Sequence, residues 1–160
     1  MRNLLNISGI VLLLISSVNF VSAQSKEEVV ALVKETRSAI EKNAEQTFES
    51  ILFGDYPYKN ENNSSLYVFV LDTDLTVAAH AIMPHMAGEN LKGKPDIKGK
   101  MFRKEMLDKA LKDGSGWVKY HYFNPKTKQA TLKISYFELA NGSDGKKYIV
   151  GSGRYLNEDQ

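Results

Sequence analysis

The sequence predicts an α+β fold: a long N-terminal helix packed on a five-stranded antiparallel sheet, with a loop and a short helix covering the sheet's other face. Three observations carry this expectation. An apolar stripe repeats at spacings of three and four from Val29 to Ile51. Beyond Leu66 the hydrophobic period changes from about 3.6 to about 2. Five β-prone runs follow, joined by short turns except for one irregular stretch between the second and third.

Composition narrows the function classes first. The chain has 160 residues, 42% hydrophobic, which is enough for one domain to bury a core without staples. A formal net charge of +2 is too small for binding driven by phosphate contacts, so no nucleic-acid partner is expected. The absence of cysteine excludes disulfide scaffolds, zinc ribbons, iron–sulfur sites and thiol nucleophiles together.

The elements follow in order. Residues 1–23 have the outline of a signal peptide: Arg2, an apolar run from Ile10 to Ile15, then Val21 and Ala23 at an A-x-A-like site. Cleavage between Ala23 and Gln24 would place the protein in the periplasm or outside the cell. The alternative is an uncleaved anchor, since Leu4 to Val21 is about long enough to span a bilayer. That stretch is interrupted by Asn6, Ser8, Gly9, Ser16, Ser17 and Asn19. Residues 24–160 then form one domain, with a helix over 24–53 and the sheet with its cover over 66–156. Ser25 and Glu28 make a capping box at the helix start. Val29, Val33, Thr36, Ile40, Ala44, Thr47 and Ile51 form a narrow stripe, suited to a sheet or to a partner helix in a homodimer. Gly54 and Pro57 stop the helix.

Leu66 to Leu71 is a continuous apolar run and reads as a strand buried on both faces. Asp72-Thr73-Asp74 turns the chain into a second strand, Thr76 to Ala81. Met83 to Lys100 is irregular, with two prolines and three glycines, and Met101 to Lys112 is a short helix ended by Gly114. The last three strands are Trp117–Phe123, Thr131–Leu139 and Lys147–Tyr155. Short turns make sequential strands antiparallel. The only material left to cover the second sheet face is the 83–112 loop and helix, and a long loop closing over a sheet makes a pocket.

Strand parity sorts the candidate residues. Val118, Tyr120 and Tyr122 share a face. Lys133, Ser135 and Phe137 lie opposite Leu132, Ile134 and Tyr136, and the apolar set is expected to meet the long helix. Lys133 would then face the covered side, where its ammonium could hold a carboxylate as a point charge; the alternative is a lysine solvated at an edge. Parity alone leaves Trp117 and Tyr136 unassigned. The aromatic residues are either cross-strand core pairs or pocket lining. His80, His85 and His121 do not have zinc-ligand spacing. Asp72-x-Asp74 is a hairpin turn rather than a calcium loop, since the later ligands are missing. Gly114-Ser115-Gly116 is a helix-ending turn, not a nucleophile elbow. Gly151-Ser152-Gly153 lies in a strand with no helix after it, which points to close backbone approach rather than a phosphate loop. No metal, cofactor or catalytic constellation is expected.

An ordered set of short pieces resembles a single Cache domain of the sCache_2 type. The pieces are Tyr67-Val-Phe-Val-Leu-Asp-Thr-Asp, Ala79-His80, Gly88-Glu89-Asn90-Leu91, and Asp96-x-x-Gly99-Lys100-x-Phe102-x-x-Glu105-Met106. Gly116-Trp117-Val118-x-Tyr120, Asn124-Pro125-x-Thr127, Lys133-x-Ser135-Tyr136 and Val150-Gly151-Ser152-Gly153-x-Tyr155 continue it. Two departures stand out: Asp74-Leu75-Thr76 where the family usually has glycine, and Ala81-Ile82-Met83 between His80 and Pro84. The resemblance implies an extracytoplasmic PAS-like module that binds a small molecule, often an organic acid, and reports to a chemoreceptor or histidine kinase. On that reading Lys133 holds an anionic group, and His80, Tyr120 and Tyr122 supply hydrogen bonds. Phe102 and Trp117 form walls, with Tyr136 beside them. His80 is otherwise a satisfied, half-buried histidine. The alternative is an interaction module that dimerises through its N-terminal helix without a ligand.

Overall fold

The computed structural model describes residues 25–156, so the signal-peptide reading of residues 1–23 lies outside the described residues. The order is α1 (Lys26–Lys42), α2 (Ala44–Phe53), β1 (Phe69–Asp72), β2 (Val77–His80), α3 (Phe102–Asp113), β3 (Ser115–Phe123), β4 (Ala130–Asn141) and β5 (Lys147–Tyr155). A 3-10 turn, Pro84–Met86, lies between β2 and α3. The five strands form one antiparallel sheet in the order β2-β1-β5-β4-β3. The expected α+β architecture is therefore observed.

The single long helix is not. The chain breaks at Asn43, whose extended backbone ends α1 and whose side chain caps α2 by accepting from the Gln46 amide. A distant turn completes the break. The Ser143 hydroxyl accepts the Ala44 amide at 2.9 Å, and the Ser143 amide donates to the Ile40 carbonyl at 3.2 Å. These bonds satisfy groups that an uninterrupted helix would have bonded to itself. The apolar stripe survives the break because both helices lie on the sheet. Val29, Val33, Ile40 and Ile51 are wholly buried against it, so the stripe that could have met a partner helix is used within the chain.

The first strand is shorter than expected, with residues 66–68 leading into it through a single bridge between Lys59 and Tyr67. The hairpin that follows is held by Asp72, whose carboxylate accepts the Asp74 and Thr76 amides. Leu75 occupies the left-handed region at φ 64°, at the turn where the resemblance leads one to expect glycine. Close approach explains the glycine pair in β5. A Cβ on Gly151 would lie 2.3 Å from the Phe69 ring that crosses over it, and one on Gly153 would lie 2.2 Å from the Ser135 hydroxyl.

The sheet has two cores. Leu32, Ile40, Ile51, Val68, Val70 and Val150 belong to the helix side, and Phe69, Leu71, Val77, Met106, Phe137 and Ile149 to the other. The stretch 83–113 covers the second side and engages both outer strands. On β2 it does so through backbone: Val77 donates to Glu89, Gly88 donates to Val77, and Leu91 donates to Leu75. On β3 it does so through side chains. Asp96 accepts the His121 amide at 2.8 Å, Lys100 donates to the Lys119 carbonyl at 2.7 Å, and Lys109 donates to the Trp117 carbonyl at 3.1 Å. Glu105 bridges Lys100 and Lys109 at 2.9 and 2.8 Å. The cover is thus a strap from one sheet edge to the other. It occupies outward-facing backbone groups that would otherwise template strand pairing.

Candidate ligand-binding site

Beneath the strap lies a small, partly open space. Its floor is Phe69 and Leu71 of β1 with Val77 of β2, and its roof is Met86 and Leu91 of the strap. The remaining wall is aromatic and polar: His80, Phe102, Arg103, Tyr120 and Tyr122. The space is about 20 Å³, room for one water. A ligand larger than water therefore enters only as side chains move.

The aromatic wall is closely stacked. The Phe102 and Tyr120 rings stack at 3.9 Å and 5°, and Tyr122 meets both edge-on at 6.1 and 5.8 Å. Phe102 opens α3, so the first residue of that helix sets the wall. The Tyr120 and Ser135 hydroxyls share a hydrogen bond of 2.9 Å across β3 and β4. Burial pushes the Tyr120 and Tyr122 hydroxyls above their ordinary range, so both stay protonated.

His80 is buried beside Tyr67 and Phe69. Burial is the largest influence on it, followed by the positive charges of Lys133 and Arg103, and together they lower its pKa from 6.5 to about 3. The ring is neutral. Its Nδ1 accepts the Met83 amide at 3.2 Å, which puts the ring proton on Nε2 as a donor.

Lys133 is fully buried, so the edge-solvated reading fails. Its Nζ sits 3.9 Å from the Tyr67 ring centre, with Tyr155, Tyr122 and Phe69 at 5.3, 5.6 and 5.7 Å. Ring faces stabilise an ammonium that has left bulk water. Lys133 is not itself among the lining residues; it stands behind the Tyr122 and Phe69 part of the wall. Its charge nevertheless reaches the site, as the shift of His80 records.

Four of the seven residues read from the sequence come together here: His80, Phe102, Tyr120 and Tyr122. Lys133 lies just behind them. Trp117 and Tyr136 lie on the opposite side. Their rings meet at 5.2 Å, and Trp117 receives Lys26 of α1 over its face at 5.6 Å. Tyr136 donates to Glu138, which pairs with Arg37 of α1 at 3.2 Å. Register decides this: Trp117 and Tyr136 are direct cross-strand partners, so both point to the helix side. Arg103 was missed. It stands one place after Phe102 in a run of charged residues that reads as a solvated helix face. Its guanidinium instead folds back over the Phe102 ring at 4.2 Å and bonds the Lys94 carbonyl at 3.2 Å.

A five-stranded sheet packed on N-terminal helices in this way has counterparts of the same fold. A family model described as "dCache_2: Cache domain" matches residues 34–160. The chain belongs to the Cache domain family. Cache domains are sensory modules rather than catalysts, and membership supports an extracytoplasmic, small-molecule-binding role in signal transduction. Several solved structures share the fold. One is described as a periplasmic sensor domain of a chemotaxis protein, at 24% identity and TM-score 0.68, covering 81% of this chain and 94% of that one. A methyl-accepting chemotaxis protein from Vibrio parahaemolyticus matches at 21% and 0.68, covering 84% and 90%. A third is described as the structural basis for carboxylic acid recognition by a Cache chemosensory domain, at 21% and 0.64, covering 81% and 92%.

Proposed function

We propose that this Cache domain senses a small carboxylate in the site under the strap and presents its bound form to a membrane receptor or histidine kinase. The observation that carries this reading is electrostatic. Arg103 lines the space, Lys133 stands behind its aromatic wall, and among the described residues no acidic side chain lines it. A neutral His80 with its proton on Nε2 and two protonated tyrosines are hydrogen-bond donors suited to carboxylate oxygens. The likeness to a domain described for carboxylic acid recognition agrees with this chemistry.

The test is calorimetry and thermal shift on residues 24–160, with short monocarboxylates set against amines of matching shape. A ligand at 100 times its dissociation constant stabilises the fold by about 2.7 kcal/mol. Carboxylates should bind, amines should not, and Lys133→Met should abolish binding while leaving the fold intact. Binding of amines and acids alike, or none across the panel, overturns the reading. For localisation, the mass of the exported protein should correspond to a chain starting at Gln24.

A further inference from the structure

The inner site has an outer neighbour. On the strap's flank a groove of about 250 Å³ runs past Pro95, Asp96, Ile97, His121 and Phe123, with the buried Asp96 carboxylate occupied by the Lys98, Lys100 and His121 amides. The groove and the inner space have three residues in common, Phe102, Arg103 and Tyr122. These three form the partition between them.

Their anchoring differs. The Phe102 ring is clamped by its stack with Tyr120, and Tyr122 is wedged edge-on against both. Arg103 is only half-buried and belongs to no ring stack among aromatic side chains. Its guanidinium is held by a hydrogen bond to the Lys94 carbonyl and lies over the rings of Phe102 and Tyr122 at 4.2 and 5.9 Å. Arginine on a flexible stem exchanges such contacts for water at small cost, whereas moving Phe102 would open the core behind it.

We propose that Arg103 is the gate of the site: its guanidinium swings out to join the groove to the inner space, admits a small anion, and closes behind it. The groove is the entry route, and the gate's charge selects among entrants before the inner wall does. This rests on the ligand site proposed above, but its test does not need the ligand.

Because the chain has no cysteine, a single introduced thiol reports access. Val77→Cys places it on the inner floor. Val68→Cys, in the wholly buried helix-side core, reports global unfolding. Labelling with small methanethiosulfonates follows the population of open states. Arg103→Ala should speed labelling of Cys at 77 by about tenfold or more while leaving the thiol at 68 unchanged. Arg103→Lys should fall between. A negatively charged sulfonate reagent should outpace its trimethylammonium analogue at 77, and Arg103→Ala should erase that preference. Met86→Ala, which alters the roof but not the groove, should change labelling less than Arg103→Ala. An unchanged rate at 77 in Arg103→Ala, or a larger effect from Met86→Ala, overturns the gate. The carboxylate reading fails separately, if acetate and propionate give no protection of the thiol at 77 in the otherwise wild-type chain.

Discussion

The two faces of the sheet are built from the same strands and do opposite work. The helix face is closed by α1 and α2, with a continuous apolar stripe packed on aliphatic side chains and on Tyr67, Tyr148 and Tyr155. The strap face is closed by one short helix and an irregular segment. Around that face's site are gathered a neutral histidine, buried tyrosines, a half-buried arginine and a buried lysine. The two helices lay one apolar stripe along the sheet and bury it whole. An irregular strap, tied at its edges by hydrogen bonds and ion pairs, leaves room that polar groups can use. On the function proposed above, the helix face is scaffold and the strap face is where a ligand acts.

That contrast can be broken or sharpened by four measurements. At neutral pH the largest effect belongs to the scaffold. Ile40→Ala removes a wholly buried side chain and should cost about 3 kcal/mol in denaturant unfolding, without altering ligand selectivity. A shift in selectivity would mean the faces are coupled.

Next is the strap's anchor. Asp96 accepts the Lys98, Lys100 and His121 amides, and these bonds hold its carboxyl below the ordinary range against the opposing effect of burial. Asp96→Ala should cost about 2 kcal/mol. It should also speed hydrogen exchange at the His121 amide more than at amides under α1. Equal acceleration everywhere would show that the strap does not open on its own.

The third uses pH. The folded pKa of His80 lies below its unfolded value, so the unfolded chain binds the extra proton between them. The resulting stability is fully present above about pH 6.5 and is lost as pH falls toward about 3, at up to about 1.4 kcal/mol per pH unit. His80→Gln should flatten part of that slope. Lys133→Met should raise the His80 pKa, read by NMR titration, since the lysine charge is one of the influences lowering it. A His80 titration unmoved by Lys133→Met would remove the lysine from the site's electrostatics.

The smallest effect is Tyr120→Phe. It deletes one hydroxyl partner of Ser135 and should cost about 1 kcal/mol in stability, with a larger proportional loss in binding. A loss confined to stability would assign Tyr120 to the core alone.

Much of the site was legible because strand parity is a local rule. Alternation puts Tyr120 with Tyr122 on one face of β3 and Lys133 with Ser135 and Phe137 on one face of β4. The apolar set opposite assigns the Lys133 face to the strap side, where Phe137 and Ser135 are found, and the family resemblance brings Tyr120 and Tyr122 to the site. His80 and Phe102 came from the family resemblance. Trp117 and Tyr136 required the register of β3 on β4, which no local pattern supplies. Arg103 was hidden because helical spacing puts it among charged neighbours, and only the strap's path shows what its side chain folds onto. The break at Asn43 had a local sign, since asparagine is a favoured cap. Its cause is Ser143, 99 residues beyond the Ala44 amide that its hydroxyl accepts.

By itself, the sequence determined the class of each element and which residues of a strand share a face. Those depend on periodicity, capping and turn chemistry, all set within a few neighbouring residues. The tertiary structure decided which faces meet. It put β1 beside β5, set Lys133 opposite Tyr155, strapped 83–113 across both edges and brought Arg103 to the partition. Those outcomes depend on contacts between distant segments, where side-chain volume and hydrogen-bond satisfaction are settled over the whole fold at once.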